Sequence, residues 1–436
     1  MPLDPAWTPL PLRTLDPASR ALLRTAANSP VASRLNWVTA TYGAGSALIP
    51  SFAPQDEDAL KPPAMVAYSL AVMVATGTHD PDVTGKTDAA VRAAVVRLVW
   101  SLAKSHRANG GTWGGVPLAP GETIRAGDAP DHQNWQGALW VWLTAVAAEL
   151  VWADLSTAQR DLVNAMAILE ADRFLQYTVP YMRDHGGVML SPGDTRAEEN
   201  TWQASILLFC AGKFPTHARA QQWMAKGLEL TLAAAATYLH PSSRRLWHGM
   251  SGWGLRGGSN LDFNGTATNH AAYDPHPNYM ASIVNQAWSN LLVFAWLRGK
   301  FPAVGQAWGF RRLFRAFVDV DFPSYEGGPY LPPGGTIYDK AGGTHAIYWP
   351  QGDDGNGTNV AMFACMDVLA HLTGSDDLAS TPAAAWAPVH LQRQVDLTRT
   401  SYWDFWNCSM AVFGDWATRT KPALQLSNTT PIELLT

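Results

Sequence analysis

Apolar residues follow two rhythms along this chain, and the two alternate from one segment to the next. In the first, apolar positions run on with scarcely a polar interruption: Pro62 to Thr76 (PPAMVAYSLAVMVAT), Gln133 to Trp152, Asn200 to Ala211, Asn278 to Leu297 and Asn359 to Leu372. A helix with no polar face must be buried on every side. In the second, apolar residues fall three and four apart, as at Val91, Val95, Leu98, Val99 and Leu102 within Lys86 to His106. Ser156 to Tyr177, Pro215 to Leu239 and Phe301 to Val320 are likewise amphipathic. Such helices cover a core on one side and meet water on the other. Pro17 to Asn28 predicts a further short helix, and the spacings Ser156/Gln159 and Thr195/Glu198 predict two capping boxes. Thr398 to Phe413 is compatible with a terminal helix or with short strands.

The alternation predicts an all-α protein, a single (α/α)n toroid of six or seven helical hairpins with little β structure. Its body follows an amino-terminal lead-in over 1–60 and precedes a carboxyl-terminal extension over 376–436, the whole of 1–436 forming one catalytic domain. In such a toroid the apolar helices are inner, the amphipathic ones outer, and all inner helices run the same way. The residues just before the inner helices then converge on one rim. Long loops at Asn109 to Asp131, Pro241 to Pro275 and Phe322 to Gly357 feed that rim. No strand–helix alternation supports a Rossmann or TIM fold, and the phosphate-binding GxGxxG and P-loop patterns are missing.

Four stretches at predicted inner-helix starts hold most of the candidate chemistry. They are Asp131-His132-Gln133-Asn134-Trp135, Glu198-Glu199-Asn200-Thr201-Trp202, Asn269 to Tyr279, and His345 to Asp354. The third is the densest, with His270, Tyr273, His276 and Tyr279 in a stretch stiffened by Pro275 and Pro277. Composition adds a second pointer, because the chain carries 20 Trp, several beside or a few residues from Gly, Asn or His (Trp113, Trp135, Trp202, Trp247, Trp253, Trp349). An indole offers a flat apolar face and one N–H donor, a combination suited to stacking on sugar rings. Charged residues make up only 15% of the chain and the net charge of −5 is spread without runs, which argues against nucleic acid or an anionic membrane as partner. No apolar run reaches the roughly 18–20 residues that span a bilayer, and the first 29 residues contain no signal-peptide core. Cys210, Cys365 and Cys408 are odd in number and far apart, so they read as buried thiols rather than a disulfide framework.

The Asn-Trp and Glu-Asn-Thr-Trp sequences at inner-helix starts, with Asn269-His270 followed nine residues later by Tyr279, resemble the α/α-toroid polysaccharide lyases over about residues 60 to 375. The resemblance implies β-elimination on a uronic acid residue, without redox cofactor or catalytic metal. It implies that Asn200 hydrogen-bonds the substrate carboxylate and that His270 and Tyr279 move the protons, with Tyr348 or Tyr273 as alternative phenols. The chemistry is sound on its own terms. A proton beside a carboxylate becomes removable once hydrogen-bond donors neutralise that carboxylate, and a positioned base and acid contribute about 10² to 10⁴-fold. Asn134, Trp135, Glu199, Trp202, Arg256, Asn269, Tyr273, His345 and Asp353 are the expected substrate-binding set, with Arg196 as a second candidate for the arginine. Each residue has a plainer alternative: Glu198 as a capping-box partner that leaves Glu199 freer to enter the cleft, Asn200 as a helix-start residue, Tyr279 as core, His276 as structural. These lyases commonly carry a β-sandwich after the toroid, and the residues beyond Leu372 are too few for one. Paired carboxylates, Glu199 with Asp353 or Asp354, support a glycoside hydrolase as the alternative. A non-catalytic sugar-binding protein is the third reading. The run Asp354-Gly355-Asn356-Gly357-Thr358 suggests a calcium loop, but the twelfth position is Cys365 rather than Glu, so an EF-hand is excluded.

Overall fold

The computed structural model describes residues 12–50, 52, 57–115, 132–184, 187–191, 196–236, 258–262, 265–267, 276–302, 307–321, 336–338 and 359–420. They are predominantly helical. In chain order the α-helices are α1 (Pro17–Asn28), α2 (Val31–Tyr42), α3 (Glu57–Ala75), the single turn α4 (Pro81–Thr84), α5 (Asp88–Ser105), α6 (His132–Leu150), α7 (Thr157–Phe174), α8 (Ala197–Lys213) and α9 (Ala220–Ala234). They continue with α10 (Pro277–Arg298), α11 (Ala307–Asp319), α12 (Val360–Thr373), α13 (Ala383–Leu397) and α14 (Tyr402–Thr420). Strands β1 (Arg183–Asp184) and β2 (Gly258–Ser259) form a two-residue antiparallel ribbon.

Six helices pack in cyclic order: α3 on α6, α6 on α8, α8 on α10, α10 on α12, α12 on α14, and α14 back on α3. The other long helices back them. α5 lies against α3 and α6, α7 against α6 and α8, α9 against α8, α11 against α10, and α13 against α12, while α1 packs on α13 and α14. The apolar and amphipathic rhythms sort the helices as expected. In α8 every residue from Ala197 to Gly212 is buried, and in α12 all but His371 are. α7 buries only a stripe that includes Val163, Met166, Ala167 and Phe174. Close approach of the two sets uses small residues: a Cβ on Gly227 of α9 would lie 2.8 Å from Leu208 Cγ of α8.

Cross-helix contacts show which ends of the six helices meet. Asn285 of α10 donates to the Met362 carbonyl in the first turn of α12 and to Asn407 Oδ1 in the second turn of α14. Asn290 of α10 donates to the Thr201 carbonyl in α8, and Ser205 of α8 donates to the Ala138 carbonyl in α6. Lys61, in the second turn of α3, lies over Trp202 of α8 and Trp403 of α14. Apart from Asn290, which is past the middle of α10, all these residues lie at or before the middle of their helices, so the amino-terminal halves of the six sit side by side.

Several boundaries differ from the periodicity reading. α3 begins at Glu57 and carries Pro62 and Pro63 inside it; a proline leaves the i−4 carbonyl without its helical partner, a defect best tolerated near a helix end. α2 was not predicted at all. The box at Ser156 and Gln159 forms with both of its hydrogen bonds. The second box does not form: α8 starts at Ala197, its N-cap is Arg196 in the left-handed region (φ 51°) without a side-chain cap bond, and Glu198 lies within the first turn. The carboxyl-terminal segment left open between helix and strand is the helix α14, packed on α3 and α12. Cys210, Cys365 and Cys408 are buried free thiols, and no helix among the described residues is long and apolar enough to cross a membrane.

Candidate active site

The meeting point of the helix starts holds a buried polar cluster. Lys61 is the lone charge in the apolar run Leu60 to Thr76, and α3 carries it inward, where it is 3% exposed. Its ammonium lies 5.6 Å from the Trp202 ring centre and 5.0 Å from that of Trp403. Indole faces attract a cation, more so when it is desolvated. Burial lowers the Lys61 pKa to about 8, against a nearby Glu198 that works to raise it. Glu198 is itself pushed well above the usual carboxylate range, first by burial and then by the adjacent Glu199; a hydrogen bond from Ser282 of α10 and the Lys61 charge act in the opposite sense. Burial thus disfavours the charged form of both groups, the carboxyl and the amine beside it. Five residues from four helices, Lys61, Glu198, Trp202, Ser282 and Trp403, build this floor.

Above it, at the start of α10, His276 occupies the N-cap position, its N–H donating to the Ala267 carbonyl at 3.0 Å. Its ring meets Tyr279 edge-on, 4.1 Å between centres at 70°. Tyr279 is partly exposed, whereas His276 is buried. An imidazole and a phenol are thus in contact in the first turn of the helix that also supplies Ser282.

The expected site residues distribute unevenly. Tyr279, Glu199 and Trp202 lie in the amino-terminal turns of α10 and α8, Glu199 being 7% exposed and Trp202 6%. Trp202 offers its face to Lys61, so the expected sugar-stacking indole is instead a cation partner. Asn200 is completely buried, and its amide donates to the Pro180 carbonyl at 3.3 Å, a carbonyl that also accepts from Asn260. Asn134 and Trp135 fall in the first turn of α6, with side chains outside the described residues. Arg256, Asn269, His270, Tyr273, His345, Tyr348, Asp353 and Asp354 also lie outside the described residues. Lys61, Ser282, Trp403 and the contact of His276 with Tyr279 were not anticipated. Lys61 alone announced itself, as the single charge in an apolar run.

Two further polar clusters are structural. Glu170 of α7 accepts from Arg173 Nε at 2.9 Å, from the Gly115 N–H at 2.8 Å, and from His106 Nε2 at 3.2 Å. The His106 tautomer follows from its partners: Nδ1 accepts from the Ala108 N–H at 3.1 Å, so the ring proton is on Nε2. Burial alone would raise the Glu170 pKa, yet Arg173 and His106 outweigh it and hold the carboxyl at about 2. The cluster ties the loop Gly110 to Gly115 down onto α7, and Trp113, expected to line a cleft wall, is fully buried with its N–H on the Leu102 carbonyl. In the second cluster Asp367 of α12 accepts from Tyr338 Oη at 2.9 Å and pairs with His390 Nδ1 at 2.6 Å, all three fully buried between α12 and α13. No group of three or more His, Cys, Asp or Glu among the described residues is placed to hold a metal ion. No protein-family model, curated protein or solved structure matches this chain.

Proposed function

We propose that α3, α6, α8, α10, α12 and α14 form the inner wall of an (α/α)6 toroid, and that its amino-terminal rim is the active site of a polysaccharide lyase acting on a uronate-containing glycan. The observation that carries the reading is the contact of Tyr279 with His276 at the start of α10, the helix that also supplies Ser282 to the floor around the buried Lys61 and Glu198. Cyclic packing of the six helices and the meeting of their starts support the architecture. In β-elimination the C5 proton of the uronate is abstracted and the C4–O bond breaks, leaving a 4,5-unsaturated sugar. Tyr279 or its histidine neighbour is the base, and the Lys61 charge below supplies the field that favours the developing enolate. With the Asn200 amide bonded to Pro180, the electrostatic part of the work falls more heavily on Lys61.

A specific observation favours a second reading. Burial and the neighbouring Glu199 push the Glu198 pKa well above the usual carboxylate range, the direction a glycoside hydrolase needs in its general acid. One experiment separates the two. Incubation with alginate, pectate, hyaluronan and glucuronan, followed by ultraviolet absorbance and by reducing-end assay, yields unsaturated product and reducing ends together for a lyase. Reducing ends without unsaturation sink the lyase reading in favour of hydrolysis.

A further inference from the structure

A cavity of about 420 Å³ opens beside the rim, between the end of α2 and the starts of α3 and α14. Arg34, Trp37, Tyr42, Asp58, Pro62 and Tyr402 line it. Its volume falls toward the lower end of the roughly 300–1,000 Å³ typical of small-molecule sites. Trp37 and Tyr42 meet edge-on, 5.6 Å between centres, both partly exposed. Arg34 is the unusual member. Among the described residues its one side-chain hydrogen bond goes from a terminal nitrogen to the hydroxyl of the adjacent Ser33, its Nε is buried with no hydrogen-bond partner, and it forms no ion pair. Asp404 favours its charged form, but the two form no ion pair. A half-buried guanidinium with unspent donors is poised for a planar anion, which it binds through two parallel N–H···O bonds. Asp58, exposed on the other wall, accepts hydroxyls, and Tyr402 adds a phenol.

We propose that this cavity binds one carboxylate-bearing pyranose, a hexuronate, as a distal subsite: carboxylate on Arg34, hydroxyls on Asp58 and Tyr402, and the apolar ring face on Trp37 and Tyr42. The proposal rests on the lyase reading for its substrate class. The cavity adjoins the catalytic floor, since Pro62 and Tyr402 are the chain neighbours of Lys61 and Trp403, which face inward. A glycan chain leaving the rim across the seam of α3 and α14 enters it directly.

The test uses the full chain, with D-glucuronate and D-glucose as probes in saturation-transfer NMR and calorimetry. Glucuronate is expected to bind at least tenfold more tightly than glucose, and Arg34→Gln to erase that preference while leaving the weak glucose signal intact. Arg34→Lys, which keeps charge but loses the fork, retains only part of it. An unchanged melting temperature for Arg34→Gln shows that the fold is kept. In turnover of a uronate oligosaccharide, Arg34→Gln raises KM several-fold with kcat preserved. Unsaturated product with KM and glucuronate affinity unchanged in Arg34→Gln overturns the subsite while leaving the lyase reading intact. Arg34-dependent glucuronate binding without unsaturated product from any substrate upholds the subsite and overturns the lyase reading.

Discussion

Replacing Glu170 by Gln tests the electrostatic account of the loop that leads from α5 toward α6. The substitution keeps the shape of the side chain and its acceptor for the Gly115 N–H, but removes the Glu170 charge from beside the buried Arg173 guanidinium. Depression of the Glu170 pKa from 4.5 to about 2 corresponds to about 3 kcal/mol of native-state stabilisation. That agrees with the 3–5 kcal/mol lost when one partner of a buried pair is removed. With an unfolding entropy of about 2.1 cal/mol/K per residue, a chain of this size loses about 3 °C in Tm for 3 kcal/mol. The sign with pH is fixed. A carboxyl whose folded pKa is lowered contributes fully above its unfolded value, and its contribution fades as pH falls from about 4.5 through about 2. Thermal melts followed by circular dichroism at pH 7, 4.5 and 3 should show Glu170→Gln melting lower at pH 7, with the gap to the parent protein narrowing as the pH falls. A gap of less than about 1 °C at pH 7, or one independent of pH, refutes the reasoning.

Gly115→Ala should be destabilising by about 1–3 kcal/mol, because its Cβ would lie 1.8 Å from Arg173 Cζ in a packed, fully buried network; urea titration reads the shift in midpoint. Tyr279→Phe should reduce kcat on a uronate polymer by at least about 100-fold with the fold unchanged, as expected for a lost proton carrier, and near-normal turnover removes Tyr279 from that role. Lys61→Met should raise stability at pH 7 by about 1–3 kcal/mol, since burial holds the lysine pKa at about 8 and its charged form is disfavoured in the fold. In the parent protein that penalty fades as pH rises from about 8 to 10.5, so the stability difference should shrink over that window. The same variant should be catalytically impaired; full activity would remove Lys61 from the rim's electrostatics.

The two hydrophobic rhythms carried most of the helical framework because burial on all sides and burial on one side leave different marks in sequence. α6, α8, α10 and α12 were recovered to within a few residues for that reason. α2 was missed although Val31, Leu35 and Val38 have helical spacing and are buried; three such positions offer little periodicity to count. The beginning of α3 was obscured by Pro62 and Pro63, which read as a first turn and in fact lie inside the helix. The site was less readable than the fold. Glu198 has the spacing of a capping residue, and only the nearness of Ser282, more than eighty positions later in the chain, redirects it inward. Trp113 and Trp202 illustrate the same limit. Neighbouring Gly or Asn marks a helix start or loop, but not whether the indole turns outward to a ligand or inward to Leu102 or Lys61.

The interior of the six-helix assembly is where stability and function pull apart. A core selected only for stability would fill the space between α3, α8, α10 and α14 with aliphatic side chains, since exchanging a buried ion cluster for well-packed apolar groups is often neutral or stabilising. Here that space holds an ammonium under two indoles and two consecutive glutamates, the pKa of one of them pushed well up by burial. In α8 and α10 the cluster lies in the amino-terminal turns, and Leu207 to Phe209 and Leu291 to Phe294 further along are apolar. Other buried polar residues of these helices are tied to the fold: Asn290 of α10 donates to the Thr201 carbonyl, and Asp367 of α12 holds Tyr338 and His390. Lys61 and Glu198 instead lie near Tyr279 and the Arg34 cavity, which argues that they serve a ligand arriving there, because apolar side chains would fill the same space at less cost.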